Sequence, residues 1–178
     1  FGNYILHYGK VLKGRCNINN QVTTNIDTKN RNLIKNNHSC THLLHATLRK
    51  ILGKHVSQKG SLVNSEKLRF DFNHNEIISD ENINKIENIV NEIINQESDV
   101  VTEILDHDNA IKSGAMALFG EKYGEDVRVI SMGKFDNKFF SIELCGGTHV
   151  SNTKEIKKFK IINQTSIASG IRRIEAIT

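Results

Sequence analysis

A chain of 178 residues, 38% hydrophobic and 25% charged, is long enough to bury a real core and has the composition of a soluble globular protein. No apolar run approaches the ~18 residues of a membrane span, so no membrane partner is expected; three widely spaced cysteines (Cys16, Cys40, Cys145) argue against a disulfide framework and for a reducing, cytoplasmic setting. The net charge of +4 is concentrated in residues 145–178, where six Lys/Arg face two acids, which fits either a polyanionic partner or a solvated basic face.

In chain order, residues 1–30 alternate short apolar stretches with Gly and Asn, which predicts two or three strands at the end of a small β module. The sequence opens on Phe1 rather than Met and reads as an internal piece of something longer. The polar stretch "DTKNRN" (27–32) suggests a boundary, giving a module over 1–30 and a second domain over 31–178. From Asn37 to Leu52 the spacing is helical, with Leu44, Leu48, Ile51 and Leu52 on one face, Asn36 or Asn37 as cap and Gly53 as stop. "SLVNSEKLRFDF" (61–72) reads as strand, turn, strand, with Leu68, Phe70 and Phe72 alternating. Residues 80–97 form a second amphipathic helix, with Asp80 and Glu81 at its positive end. A short helix is predicted over 109–119, and strands over 127–132, 138–144, 156–163 and 171–177. The predicted fold class is α+β: two long helices packed on a mostly antiparallel sheet, preceded by the end of a small β-barrel module.

Two short motifs carry the chemistry. In "HSCTH", His38 and His42 stand at i and i+4 and project from one helix face. In "CGGTH", Cys145 and His149 flank a Gly-Gly turn that follows a strand. Either pair alone reads as ordinary surface polarity. Together, one thiolate and three imidazoles suit a zinc ion. His45, at i+7 from His38, is a rival ligand that reads better as a helix-surface histidine. Four protein ligands would close a tetrahedral site, which is the structural pattern, whereas catalytic zinc keeps a position for water or substrate. Spacing leaves both open.

The blocks "NHSCTHLLHATLRKILGKHVSQKGSLVNSEKLRFDF", "GAMALFGEKYGEDVRVISMG", "SIELCGGTHVSNTKEI" and "ASGIRRIEAIT" resemble the successive signatures of the editing domain of alanyl-tRNA synthetases, over residues 31–178. The first 30 residues resemble the tail of the β-barrel module before that domain. Free-standing alanyl-tRNA editing proteins share the two ligand pairs but generally lack the "LRFDF" and "GAMALFGEKYG" wording, and the threonyl-tRNA synthetase editing domain is a more distant relative.

The resemblance implies a zinc-dependent deacylase that hydrolyses Ser-tRNA(Ala) and Gly-tRNA(Ala). It implies one Zn2+ on His38, His42, Cys145 and His149, and pocket roles for Gln58 in "VSQKGSL" and, less directly, Thr41. Cys40 stands where the family commonly has a small residue such as Ala. A full-length parent would attach alanine to tRNA(Ala) using ATP, but the regions that do so are not in this sequence. Serine exceeds alanine by one hydroxyl, which an apolar pocket rejects by only ~100-fold, so a second site that hydrogen-bonds the hydroxyl restores accuracy. The backbone N–H groups of Gly146 and Gly147 either donate to an oxyanion or simply build the turn that aims the ligands. For the acceptor stem and mischarged 3′ end of tRNA(Ala), the candidate contacts are Arg172, Arg173, Arg69 and Lys157, though Arg69 has Asp71 as an alternative partner. On an alternating strand Arg172 and Arg173 face opposite sides, so one at most reaches RNA. The competing reading is a tRNA-binding module whose zinc is purely structural.

Overall fold

The computed structural model describes residues 6–117 and 124–178. Residues 6–27 contain no strand, and their apolar side chains lie in solvent, Leu12 at 90% and Ile18 at 92% exposure. The strands expected there are therefore not formed, and no closed barrel exists among the described residues. An isolated extended segment has no neighbour to take its ladder hydrogen bonds.

Helix α1 runs Thr28–Leu52, nine residues earlier than the apolar spacing suggests. Its cap is Asp27, whose carboxylate accepts from the Asn30 N–H, so the helix begins within the polar stretch 27–32. Gly53 ends it at φ 120°, donating its N–H to the Arg49 carbonyl. The sequence pattern of α1 is blurred because many of its buried positions are polar. Asn37 donates to the Asn64 carbonyl, and Thr41 and Thr47 return their hydroxyls to the carbonyls of Asn37 and Leu43.

Strands β1 (Gln58–Val63) and β2 (Leu68–Asn73) form the expected hairpin. Helix α2 (Asp80–Ile94) starts at the Ser79 cap and buries Ile86, Val90, Ile93 and Ile94. Strand β3 (Val101–Asp106), which no clear periodicity announces, leads into α3 (His107–Lys112). That helix ends before Phe119; residues 118 and 119 of the expected 109–119 helix lie outside the described residues. Strands β4 (Asp126–Phe135) and β5 (Lys138–Leu144) follow. Of the strand expected at 156–163 only residues from Lys160 on are extended; Ile156 ends a 3-10 turn, Thr153–Ile156, closed by a capping box between Asn152 and Glu155, and 157–159 belong to no element. Strands β6 (Lys160–Ala168) and β7 (Ile171–Ile177) complete the chain.

The architecture is α+β, with the strands divided between two antiparallel sheets. One has the order β1-β2-β7-β6 and the other β3-β4-β5. Leu68, Phe70 and Phe72 of β2 and Ile174 and Ala176 of β7 are fully buried in one core with Leu44 and Leu48 of α1 and Val90 of α2. Each large side chain buried there contributes about 1.5–3 kcal/mol. Ile130 and Met132 of β4 join the same core, so it locks the two sheets together through the helices. Glu87, buried on α2, is satisfied by the Ile161 N–H and the Lys160 ammonium at the start of β6. This scaffold lays α1 across the end of β5, which is what brings the two ligand motifs together.

Candidate metal centre

One face of α1 presents His38 and His42, and the loop leaving β5 presents Cys145 and His149. One ligand-capable atom from each of the four lies within 4.8 Å of the others. The three imidazoles crowd together, with ring centroids 4.3 to 5.1 Å apart, and the Cys145 sulfur lies 3.6 Å from His38 Nε2. The Nδ1 atoms are already engaged. His38 Nδ1 faces the Thr148 carbonyl at 3.2 Å, His42 Nδ1 the Glu143 carboxylate at 2.7 Å, and His149 Nδ1 the Ser39 hydroxyl at 3.4 Å. On His42 and His149 this leaves Nε2 buried and without a protein partner. Buried polar atoms are rarely left so. Nitrogen atoms fixed by their second ring atom and converging beside a thiolate fit a zinc ion.

The electrostatics point the same way. Burial would raise the Cys145 thiol, but the imidazoles of His149, His38 and His42 beside it pull its pKa down to about 3, which favours the thiolate. Burial would strip the proton from His42, yet the Glu143 carboxylate beside it holds its pKa up to about 10. Glu143, buried but paired first with His42 and then with His45, falls to about 2. His149 is lowered by burial and by the neighbouring imidazoles of His42 and His38.

The Gly-Gly turn has one indispensable glycine. A Cβ at Gly147 would collide with the His38 ring, while Gly146 has open space. The Gly147 N–H points at the Cys145 sulfur at 3.5 Å, which favours the turn-building reading over an oxyanion donor for this group. Arg128 on β4 clamps the turn from behind through the carbonyls of Cys145 and Gly147.

His45 is not a surface histidine. It is 4% exposed, packs at a tilt against the Phe70 ring, and shares Glu143 with His42. Glu143, Ser39 and Arg128 escaped the sequence reading. Only Glu143 carried a signal, since it stands two residues before Cys145 and therefore shares its strand face. Thr41 is buried one residue before His42, with its hydroxyl proton committed to Asn37. Gln58 is half-buried at the start of β1, opposite Phe72, where the register slips before Gly60.

The basic candidates are not a uniform face. Arg172 is buried beside Phe72 and reaches Gln164. Arg173, on the opposite face, grips Asp71 with two bonds of 2.7 Å, and Arg69 stands 3.6 Å from the same carboxylate. Lys157 is exposed after the 3-10 turn. No helix among the described residues is long and apolar enough to cross a membrane.

Residues 127–175, from β4 to β7, match the family described as the threonyl and alanyl tRNA synthetase second additional domain. The chain is 53% identical over 174 residues to an alanine--tRNA ligase of Bdellovibrio bacteriovorus, covering 98% of this chain and 19% of that protein. It is 52% identical over 172 residues to the ligase of Ruthia magnifica, covering 97% of this chain and 20% of that one. For the ligase of Francisella tularensis subsp. mediasiatica it is 52% identical over 177 residues, covering 99% and 20%. The chain thus spans about a fifth of the length of the curated relatives it matches. Along nearly its whole length it is similar to a segment of these alanine--tRNA ligases, and residues 127–175 within it match the second additional domain of threonyl and alanyl tRNA synthetases.

Proposed function

We propose that the chain is an editing domain that hydrolyses the ester of serine or glycine misattached to tRNA(Ala), in the cytoplasm, within a longer protein that attaches alanine using ATP. The observation that carries this reading is the convergence of His38, His42, Cys145 and His149 on one point, with two buried Nε2 atoms otherwise unpartnered. Residues 31–178 would form the editing unit and residues 1–30 the end of a neighbouring module. One zinc ion on those four residues would polarise the ester or lower the pKa of a bound water.

The protein's own residues do the positioning. Glu143, Ser39 and the Thr148 carbonyl hold the ring orientations, and Arg128 holds the turn. Thr41 spends its proton on Asn37, but its oxygen still accepts, which suits the hydroxyl of a serine and leaves alanine without a match. Gln58 would orient the substrate from β1. Lys157 would contact the acceptor stem as it stands. Arg69 and Arg173 would reach phosphate only by sharing Asp71, and Arg172 only from the sheet's buried side.

One observation favours the second reading, a tRNA-binding module with structural zinc. Four side chains that could all ligate would leave a zinc ion no open position, the pattern of a structural site. The two separate when the chain is given serine-charged and alanine-charged tRNA(Ala) and release of each amino acid is followed. Selective release of serine, slowed at least about ten-fold by Cys145→Ala, is the expected result. A zinc-loaded chain that binds tRNA and releases neither amino acid is a recognition module.

A further inference from the structure

The hairpin joining β4 to β5 carries a feature that the metal centre does not use. Its two-residue turn, Asp136–Asn137, has both residues at positive φ and is closed by the Phe135–Lys138 pair, the rigid form of a tight hairpin. Around it stand two aromatic rings open to solvent, Phe135 at 47% and Phe139 at 37% exposure. Lys134 and Lys138 flank them, and the Lys50 ammonium from the end of α1 sits 2.9 Å over the Phe135 ring centre. Among the described residues none of these three lysines has a carboxylate within ion-pair distance.

The position of this cluster matters more than its composition. His38, His42, Ala46 and Lys50 follow one another at intervals of four along one stripe of α1. Beside them, Phe139, Ser141 and Glu143 alternate along one face of β5, with Glu143 at the metal centre. A cavity of about 520 Å3 is lined by Lys50, Phe135, Asp136, Lys138 and Phe139. A second of about 210 Å3, lined by Ala46, Phe139 and Ser141, continues along the same groove. The Ser141 hydroxyl is buried there without a hydrogen-bond partner. From His42 to Lys50 is eight helical residues, about 12 Å.

Resting on the hydrolase reading above, we propose that this groove is a binding track for single-stranded RNA. Phe135 and Phe139 stack bases, Lys50, Lys134 and Lys138 meet phosphates, and Ser141 meets a polar group of the nucleotide nearest the centre. About 12 Å corresponds to on the order of three nucleotides at the ~3.4 Å stacked rise, the length of unpaired end needed to present a terminal ester at the metal ligands. Aromatic faces interleaved with unpaired cations are the make-up of a single-strand platform. An apolar protein segment would leave the three ammonium groups without partners.

The probe is an uncharged RNA hairpin with a four-nucleotide unpaired 3′ tail, compared with its blunt form by fluorescence anisotropy on the whole zinc-loaded chain. The tailed RNA is expected to bind more tightly than the blunt one. Phe139→Ala should weaken the tailed form by about five-fold or more while leaving the blunt form alone. Lys138→Ala, a surface change that spares the fold, should reduce the slope of log affinity against log salt by about 0.7. Equal binding of tailed and blunt RNA by the wild type overturns the track, as does wild-type affinity and salt slope in both variants. Serine release with no tail preference would sink the track alone. Tail binding that depends on Phe139 and Lys138, without any serine release, would sink the hydrolase reading and leave the track.

Discussion

Glu143 accepts from the Nδ1 atoms of two buried histidines at once, His42 and His45. A glutamine there can accept from one but turns an NH2 toward the other. The ring so faced must shift its proton to Nε2, which on His42 is the atom aimed at the metal. Glu143→Gln is therefore expected to weaken zinc binding by about 10- to 100-fold, read by chelator competition, with little change in helix content. The same pair sets a proton count. With His42 held up to about 10 and Cys145 down to about 3, zinc binding at pH 7 should release about one proton, from His42 and none from the thiol. Affinity should accordingly rise with pH up to about 10. Calorimetry in buffers of different ionisation enthalpy counts that proton, and two released protons would mean that a second of the four residues is protonated in the metal-free fold. At this scale the two pairs of candidate ligands were legible because each pair is local, bound by one helical turn or one tight turn. Ser39 and Arg128 were not, because their partners His149 and Cys145 stand 110 and 17 residues away.

At the scale of elements, the loop after α1 is tied to the end of β2 through His55 and His74, whose ring nitrogens lie 3.1 Å apart. Burial and the neighbouring His55 lower the pKa of His74 below 6.5. A depressed histidine binds its proton less readily folded than unfolded. Its contribution to stability is thus intact above pH 6.5 and is lost as pH falls below that value. Urea midpoints at several pH values should fall on acidification in the wild type, and less steeply in His74→Gln. A parallel fall in both proteins would remove this pair from the account. Helix α2 and strands β2, β5 and β7 were legible because one face of each is largely apolar and the other polar, at the period of its own geometry. The start of α1 and the whole of β3 were not. The first turns of α1 bury little and exist because Asp27 caps them. β3 exposes Thr102, Glu103 and Ile104 alike, and is a strand because β4 lies beside it to accept its hydrogen bonds.

For the molecule as a whole, a zinc ion would tie α1 to the loop after β5, closing a span of 107 residues between His38 and Cys145. Free zinc at about 1,000 times its Kd adds about 4 kcal/mol to a fold that binds it, on the order of 8–16 °C in Tm for a chain of this size. That gain should vanish with a chelator and in Cys145→Ala; a Tm indifferent to both would mean that the four residues hold no ion. The sequence by itself determined which residues pair at ligand spacing, which long segments are helix or alternating strand, and which family they resemble, since all of these are written in local spacing. Only the tertiary structure decided that the strands split into two sheets, that His45 and Glu143 lie buried behind the ligands, and that Arg173 answers to Asp71. Those outcomes depend on contacts between residues some 100 positions apart. They were settled by which buried polar groups could find partners once the core had closed.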